Sequence, residues 1–240
     1  MCQKRKVQMK KLLIIGGVAA GATAAGRARR LDGEVEITLL EAGPDISFAN
    51  CGLPYYLGGE VKNRSDLILA SPETFDEQYR VKAHTMTEAV AIDRDKKRVE
   101  AIDHNTQERL QFEYDRLILA QGGRPIVPPL PGVEQENVFQ LWTLGDMDRI
   151  DQFIREKNPQ TAVVVGAGFI GLEMVEALVR RGLEVTLVEK APQVMPNLEA
   201  EISAVLMKEM LDYGVDLQLG ISLKEIGGNR VILEDGTLLK

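Results

Sequence analysis

At 240 residues, 45% hydrophobic and 27% charged, the chain has the balance of an ordinary globular protein and length for one large domain or two small ones. Its net charge of −7 excludes the basic excess that a nucleic-acid-binding surface needs, and no apolar stretch approaches the roughly 20 residues that span a bilayer. Two cysteines, Cys2 and Cys51, make no disulfide framework, so the chain reads as cytoplasmic, with Cys51 kept as a thiol or used in exchange.

The polar, basic residues 1–8 read as an extension rather than a functional arm: a frayed tail, or a start placed upstream of Met9. Leu12–Ile15 then forms a strand that ends in Gly16-Gly17. An alanine-rich helix runs from about Val18 to Arg30, and Glu36–Glu41 is the next strand, which completes a βαβ unit with a parallel pair. Asn50 or Cys51 can cap a short helix with Pro54 in its first turn. A second helix covers Pro72–Tyr79, and three short antiparallel strands follow at 89–92, 98–102 and 110–112. The buried-looking run Arg116–Ala120 leads into Gly122-Gly123.

Four prolines between residues 125 and 131 make a stiff crossing and a domain boundary. After a helix at about 144–156 the pattern restarts, with strand Thr161–Val165, turn Gly166–Gly171, a helix to about Arg181 and strand Glu184–Glu189. A helix near 200–213 and strands at about 215–219 and 230–233 close the chain. The class is therefore α/β, with two Rossmann-like βαβ dinucleotide-binding domains, both incomplete because such domains use five or six strands. Residues 9–124 read as the first part of an FAD-binding domain, 125–145 as a crossing segment and 146–240 as an incomplete NAD(P)-binding domain.

The second fingerprint is complete. Gly166 makes the tight turn, Gly168 lets backbone approach a pyrophosphate, and Gly171 lets helix pack on strand, with the phosphates at the helix N-terminus. Glu189, 23 residues after Gly166, stands where a carboxylate accepts from a ribose 2′-hydroxyl, which favours NADH over NADPH. The first fingerprint, Gly16-Gly17-Val18-Ala19-Ala20-Gly21, lacks the middle glycine, but Glu41 restores the ribose partner 25 residues on from Gly16. Two nucleotide sites in one chain point to a flavin as well as a nicotinamide. Between them lies Cys51, which reacts as its thiolate, a form favoured near a helix N-terminus. With no second cysteine within four residues, Cys51 must pair with a bound thiol or pass through a sulfenic acid.

Arg27, Arg29 and Arg30 cluster at a helix end, where they either compensate the dipole or clamp an anionic substrate. His84 and His104 read as surface residues, and Asn63-Arg64-Ser65 carries no meaning without a secretory signal.

The stretch Ser47–Tyr56, with Gly16–Gly21 before it and Gly166–Glu173 after it, resembles the single-cysteine branch of the flavin-dependent pyridine nucleotide-disulfide oxidoreductases. That branch holds coenzyme A-disulfide reductases, persulfide reductases, NADH oxidases and NADH peroxidases, and Asn50-Cys51-Gly52-Leu53-Pro54-Tyr55 is the form found in the coenzyme A-disulfide and persulfide subgroup. The resemblance implies FAD on Gly16–Gly21 with its ribose on Glu41 and its ring against Cys51. It implies coenzyme A contacts at Thr23, Arg27, Arg30, Ser47 and Asn50. Phe169, beside Ile170, would cover the flavin until NAD(P)H arrives, and Glu173 would orient the nicotinamide. Two positions depart from the pattern: Gln121 stands where threonine or serine is usual, and Tyr79, next to Arg80, where a basic contact is usual. The family continues past position 240 into a completed flavin site and a homodimerisation domain, so the chain reads as an N-terminal half. The activity implied is hydride transfer from NADH or NADPH to FAD, and then reduction of a Cys51 mixed disulfide with coenzyme A disulfide or persulfide. The alternatives are an oxidase or peroxidase cycling a Cys51 sulfenate, and a flavin-free remnant without activity.

Overall fold

The computed structural model describes residues 10–239, so Cys2 and the extension at 1–8 lie outside the described residues. In chain order come β1 (Lys11–Ile15), α1 (Ala19–Leu31), β2 (Glu36–Leu40), a 3-10 turn at Asn50–Gly52 and α2 (Leu53–Leu57). A second 3-10 turn, Arg64–Leu67, precedes α3 (Pro72–Tyr79), β3 (Val81–His84), β4 (Thr87–Asp93), β5 (Arg98–Asp103), β6 (Arg109–Glu113) and β7 (Arg116–Leu119). Then follow α4 (Leu144–Lys157), β8 (Thr161–Val165), α5 (Phe169–Arg180), β9 (Glu184–Glu189) and α6 (Ala200–Asp212). Last are β10 (Asp216–Leu219), β11 (Leu223–Gly227), β12 (Arg230–Leu233) and β13 (Leu238–Leu239).

Contacts divide the chain into two units. The first holds the residues up to Ala49 together with Leu67–Gly123; the second holds Asn50–Asp66 and the chain from Arg124. Residues 50–66, which the sequence reading leaves inside 9–124, thus group with the later unit.

In the first unit a parallel sheet runs β3-β2-β1-β7. Period-two alternation sends Ile14, Ile37 and Leu39 to one face, where they pack with Ala25 of α1, Phe75 of α3 and Val81. Leu13 and Leu40 point the other way, onto Val99 and Ala101 of the antiparallel sheet β4-β5-β6. The unit is therefore three layers deep, which is why its central strands are apolar on both faces. Ser71 caps α3 by accepting from the Thr74 N–H at 3.2 Å, with Pro72 in the first turn.

The second unit repeats the plan. Its parallel sheet runs β10-β9-β8, α5 follows β8 as α1 follows β1, and Val188 of β9 packs with Leu223 and Leu233 of the antiparallel sheet β11-β12-β13. Thr143 and Asp146 form a reciprocal capping box on α4. Asp151, buried on α4, accepts from Arg155 of its own helix and from Arg181 at the end of α5, the latter at 2.9 Å.

The strand readings at 161–165, 184–189 and 230–233 and the helix reading at 72–79 coincide with β8, β9, β12 and α3. Three corrections follow. β3, β11 and β13 carry no apolar alternation of the kind the sequence reading uses, and pairing with β2 or β12 makes them strands. The run at 116–120 is less buried than its composition suggests, with Leu119 57% exposed. The N-cap of α2 is Gly52 with no side-chain cap, so neither Asn50 nor Cys51 fills that role; both lie in the preceding 3-10 turn.

Leu39 is fully buried between the first sheet and α1 and α3. Replacing it by alanine should cost about 2–5 kcal/mol through lost transfer energy and a residual cavity, read as a lower urea midpoint at unchanged slope.

Candidate functional site

The two glycine turns have the same geometry. Gly16 (φ +98) and Gly166 (φ +97) occupy the left-handed region, and their N–H groups donate to Leu40 and Val188 carbonyls, both at 2.8 Å. One helical turn later a Cβ on Gly21 would lie 1.7 Å from the Gly16 oxygen, and one on Gly171 would lie 1.9 Å from the Gly166 oxygen. Only glycine lets these helices start so close to their strands.

Each turn is closed by a carboxylate. Glu41, at the end of β2, accepts from Gly17 N–H at 2.7 Å and Gly43 N–H at 2.8 Å; Glu189, at the end of β9, accepts from Ala167 N–H at 2.7 Å and Ala191 N–H at 2.8 Å. In both, one oxygen holds the turn and the other holds the loop after the strand. A carboxylate oxygen has two acceptor directions, so each clasp leaves room for a ribose hydroxyl.

The turns differ in the middle. A Cβ at Gly168 would meet no atom within 4 Å, so no neighbouring protein group demands the missing side chain there. Neither α1 nor α5 has a side-chain cap on its first N–H groups. Donors without caps, beside a turn with no Cβ at its centre, fit a pyrophosphate. At the first turn Val18 occupies the middle position, while Gly17 is the crowded one: a Cβ on it would come within 2.8 Å of Ile46 and Leu39. A Cβ on Gly16 would lie 2.1 Å from the Ala120 oxygen, because the chain after β7 crosses this turn. Gly166 has nothing within 4 Å, as no described strand pairs with that edge of β8. Ala19, Ala20, Phe169 and Ile170 are exposed at the starts of α1 and α5, Phe169 to 68%.

The three arginines of α1 separate into two kinds. Arg29 donates to the carbonyls of Tyr79 (2.7 Å), Arg80 (2.9 Å) and Gly33 (2.8 Å), which spends it on structure. Burial and the neighbouring Arg80 charge lower its pKa. Thr23, Arg27 and Arg30 are exposed at spacings of four and three residues, hence on one helix face. Neither Arg27 nor Arg30 has an ion pair among the described residues. Ser47 (φ 48) donates its N–H to Gly17 (3.0 Å) and accepts from Leu69 (2.8 Å), so the fingerprint turn positions its backbone. The Arg80 guanidinium donates to Gly33, so it does not stand in for the missing basic contact beside Tyr79.

Cys51 is a free, exposed thiol. Its 3-10 turn is followed by α2, whose Leu53, Pro54 and Leu57 are buried. Asn50 is half-buried in the same turn. Pro54 and Tyr55 line a narrow cleft with Glu173, which is half-buried on α5. His104 pairs with Glu88 at 3.1 Å, while His84 packs edge-on against Phe112, and burial and then Lys82 lower its pKa. No cluster of three metal-ligating side chains occurs among the described residues, and none of their helices is long and apolar enough to cross a membrane. Sequence reasoning missed the two carboxylate clasps, because a ribose partner and a loop anchor place the same residue at the same spacing.

Residues 10–240 match the family model "Pyridine nucleotide-disulphide oxidoreductase". The coenzyme A disulfide reductase of Staphylococcus haemolyticus is 35% identical over 228 residues, covering 95% of this chain and 51% of the relative. That of Staphylococcus aureus is 33% identical with the same coverage. Among solved structures, reduced Bacillus anthracis CoADR-RHD superposes with a TM-score of 0.94 at 41% identity, over 97% of this chain and 42% of that one. An NAD-dependent persulfide reductase from A. fulgidus gives 0.90 at 35% identity, over 95% and 43%. The chain spans about half the length of the curated relatives it matches.

The contrast between the glycines is testable. Gly171→Ala should destabilise by about 1–3 kcal/mol or more through its clash with the Gly166 carbonyl. Gly168→Ala, at φ −83 with open space around it, should leave stability within about 0.5 kcal/mol. It should nonetheless weaken NADH binding about tenfold or more, since a methyl group there displaces a phosphate contact. Thermal melts paired with NADH fluorescence titrations read both effects.

Proposed function

The chain belongs to the pyridine nucleotide-disulphide oxidoreductases, a family that implies FAD and NAD(P)H, and from that membership we propose that it carries the reductive machinery of a coenzyme A-linked disulfide reductase. The observation that carries the reading is the pair of glycine turns with matching carboxylate clasps, in a chain whose exposed thiol stands between them in sequence. In this reading Gly16–Gly21 and Glu41 hold FAD. Gly166, Gly168, Gly171 and Glu189 hold the nicotinamide dinucleotide, with Phe169 and Ile170 covering the site and Glu173 orienting the ring. Glu189 favours NADH, because a 2′-phosphate beside a carboxylate is repelled.

When bound, FAD supplies two-electron transfer from NAD(P)H toward sulfur. The chain's own sulfur does the rest. The Cys51 thiolate attacks a disulfide, forming the Cys51 mixed disulfide and expelling one thiolate. An electron pair then cleaves that bond, regenerating the Cys51 thiolate and releasing the second thiolate, which takes up a proton. A lone thiol suffices because the substrate brings its own partner sulfur.

Two features favour coenzyme A disulfide or persulfide as that substrate. Relatives and structural neighbours bear the names coenzyme A disulfide reductase and persulfide reductase. Arg27 and Arg30, free of ion pairs among the described residues, present two guanidinium groups to phosphates on the helix face that carries Thr23. Ser47 and Asn50 complete the set. A cytoplasmic setting, where a lone thiol stays reduced, and a homodimeric full-length parent belong to the same reading.

The test is spectroscopic. The purified chain mixed with FAD should show flavin absorption that NADH bleaches without oxygen, and coenzyme A disulfide should restore the colour. Cys51→Ser should keep the bleaching and lose disulfide-driven recovery by at least about 10³-fold. Undiminished recovery in that variant would remove Cys51 from the mechanism. Recovery by peroxide alone would favour the sulfenate-cycling oxidase reading, and a chain that takes up no flavin would favour the remnant.

A further inference from the structure

Cys51 has no hydrogen bond among the described residues, so the backbone of its turn alone aims its sulfur. That turn runs directly into α2, five residues long and too short to hold a direction of its own. What holds α2 is the second unit, at three points. A Cβ on Gly58, which ends α2, would lie 3.2 Å from Ala177 Cα and 3.4 Å from Ala177 Cβ on α5. Glu60 pairs with Arg180 of α5 at 2.6 Å, and Arg64 donates to both oxygens of Asp148 on α4 at 2.9 and 3.0 Å.

Gly58 has φ −75 and ψ −6, a conformation open to any residue, so its lack of a side chain answers to space and not to backbone strain. The space it vacates is filled by Ala177, itself buried. Arg180 is held by a second carboxylate, Glu176 at 2.8 Å, so the guanidinium that receives Glu60 is pre-set by its own helix.

We propose that Gly58 and Arg180 are positioning residues for Cys51: the Gly58–Ala177 approach and the Glu60–Arg180 pair fix how α2 lies on α5, and hence where the Asn50–Gly52 turn presents its sulfur to a bulky disulfide. The inference rests on Cys51 being the thiol that reacts with a coenzyme A disulfide. A bland alternative treats the glycine as packing and the ion pair as a surface contact of little value. The two differ in what they do to selectivity.

The experiment uses the full chain in a Cys2→Ser background, so that Cys51 alone reports. The rate of mixed-disulfide formation is measured with coenzyme A disulfide and with 2-hydroxyethyl disulfide, a small neutral reagent that only needs access. Gly58→Ala should slow the coenzyme A reaction by about 2- to 30-fold, the range such indirect couplings span, while the small reagent stays within about twofold. Adding Ala177→Gly should restore much of the loss by removing the opposing methyl group. Arg180→Gln, which leaves the packing intact, should reproduce the selective slowing if Gly58→Ala fails to fold. Rates unchanged for both reagents, or altered equally for both, overturn the inference. A starting protein that does not prefer coenzyme A disulfide to the small reagent instead overturns the substrate reading on which the inference stands.

Discussion

A carboxylate at the end of the second strand of each unit, one oxygen on the glycine turn and the other on the outgoing loop, is the interaction on which the remaining geometry depends. Hydrogen bonds from N–H groups to an ionised acceptor are shorter and stronger than neutral ones, and here each carboxylate spans two pieces of backbone that the sheet leaves free. Without Glu41 the turn at Gly17 and the loop at Gly43 would have no common anchor. With it, the loop leaves β2 in a fixed direction and returns at Ser47, whose N–H donates to the Gly17 carbonyl. Three residues further on, Ala49 donates to Leu67 at 2.8 Å, closing the base of the 50–66 segment that carries Cys51. In the chain's own order, then, the clasp leads from the glycine turn to the reactive sulfur.

The duplication shows which parts of the motif answer to the protein and which to a ligand. Gly21 and Gly171 are both dictated by a carbonyl less than 2 Å from where a Cβ would stand. Gly17 is dictated by Ile46 and Leu39, and its counterpart Ala167 keeps a methyl group because its surroundings admit one, fully buried. Gly168 answers to no neighbour at all. A glycine inside a helix start that packing does not require carries an entropic cost with no structural return, and close approach by a phosphate is the return that fits. Val18 at the matching position of the first turn means that the two turns do not receive phosphate in the same way.

Most of the fold was legible because its signals are local. An apolar run ending at glycine, a proline at a helix start and a β-branched strand of five or six residues carry their own instructions, and α3, β8 and β9 fall where those signals place them. β3 was not legible: Lys82 and His84 make it polar, and only pairing with β2 makes it a strand. The site divides along the same line. Glycines and acids at fixed spacing could be read, but the double use of Glu41 and Glu189 could not, since nothing local distinguishes an anchor from a ribose partner. Nor could the fates of the three arginines. Arg29 is consumed by carbonyls at residues 33, 79 and 80, and two of those are some fifty positions away.

The position of Cys51 follows from a division of labour that single-chain periodicity does not reveal. A reactive thiol must be accessible, and an accessible residue contributes little packing energy to hold itself in place. Cys51 resolves the conflict by standing one turn ahead of a buried anchor: Leu53, Pro54 and Leu57 supply the apolar contacts, and Glu60 and Arg64 the polar ones, while the sulfur supplies none. The segment's two ends are tied to each other and its middle to α4 and α5, so its freedom is limited at every point except the one that does chemistry. An exposed thiol on a loose loop would meet any disulfide it encountered. One held by the residues behind it can favour the disulfide whose shape matches the direction it faces.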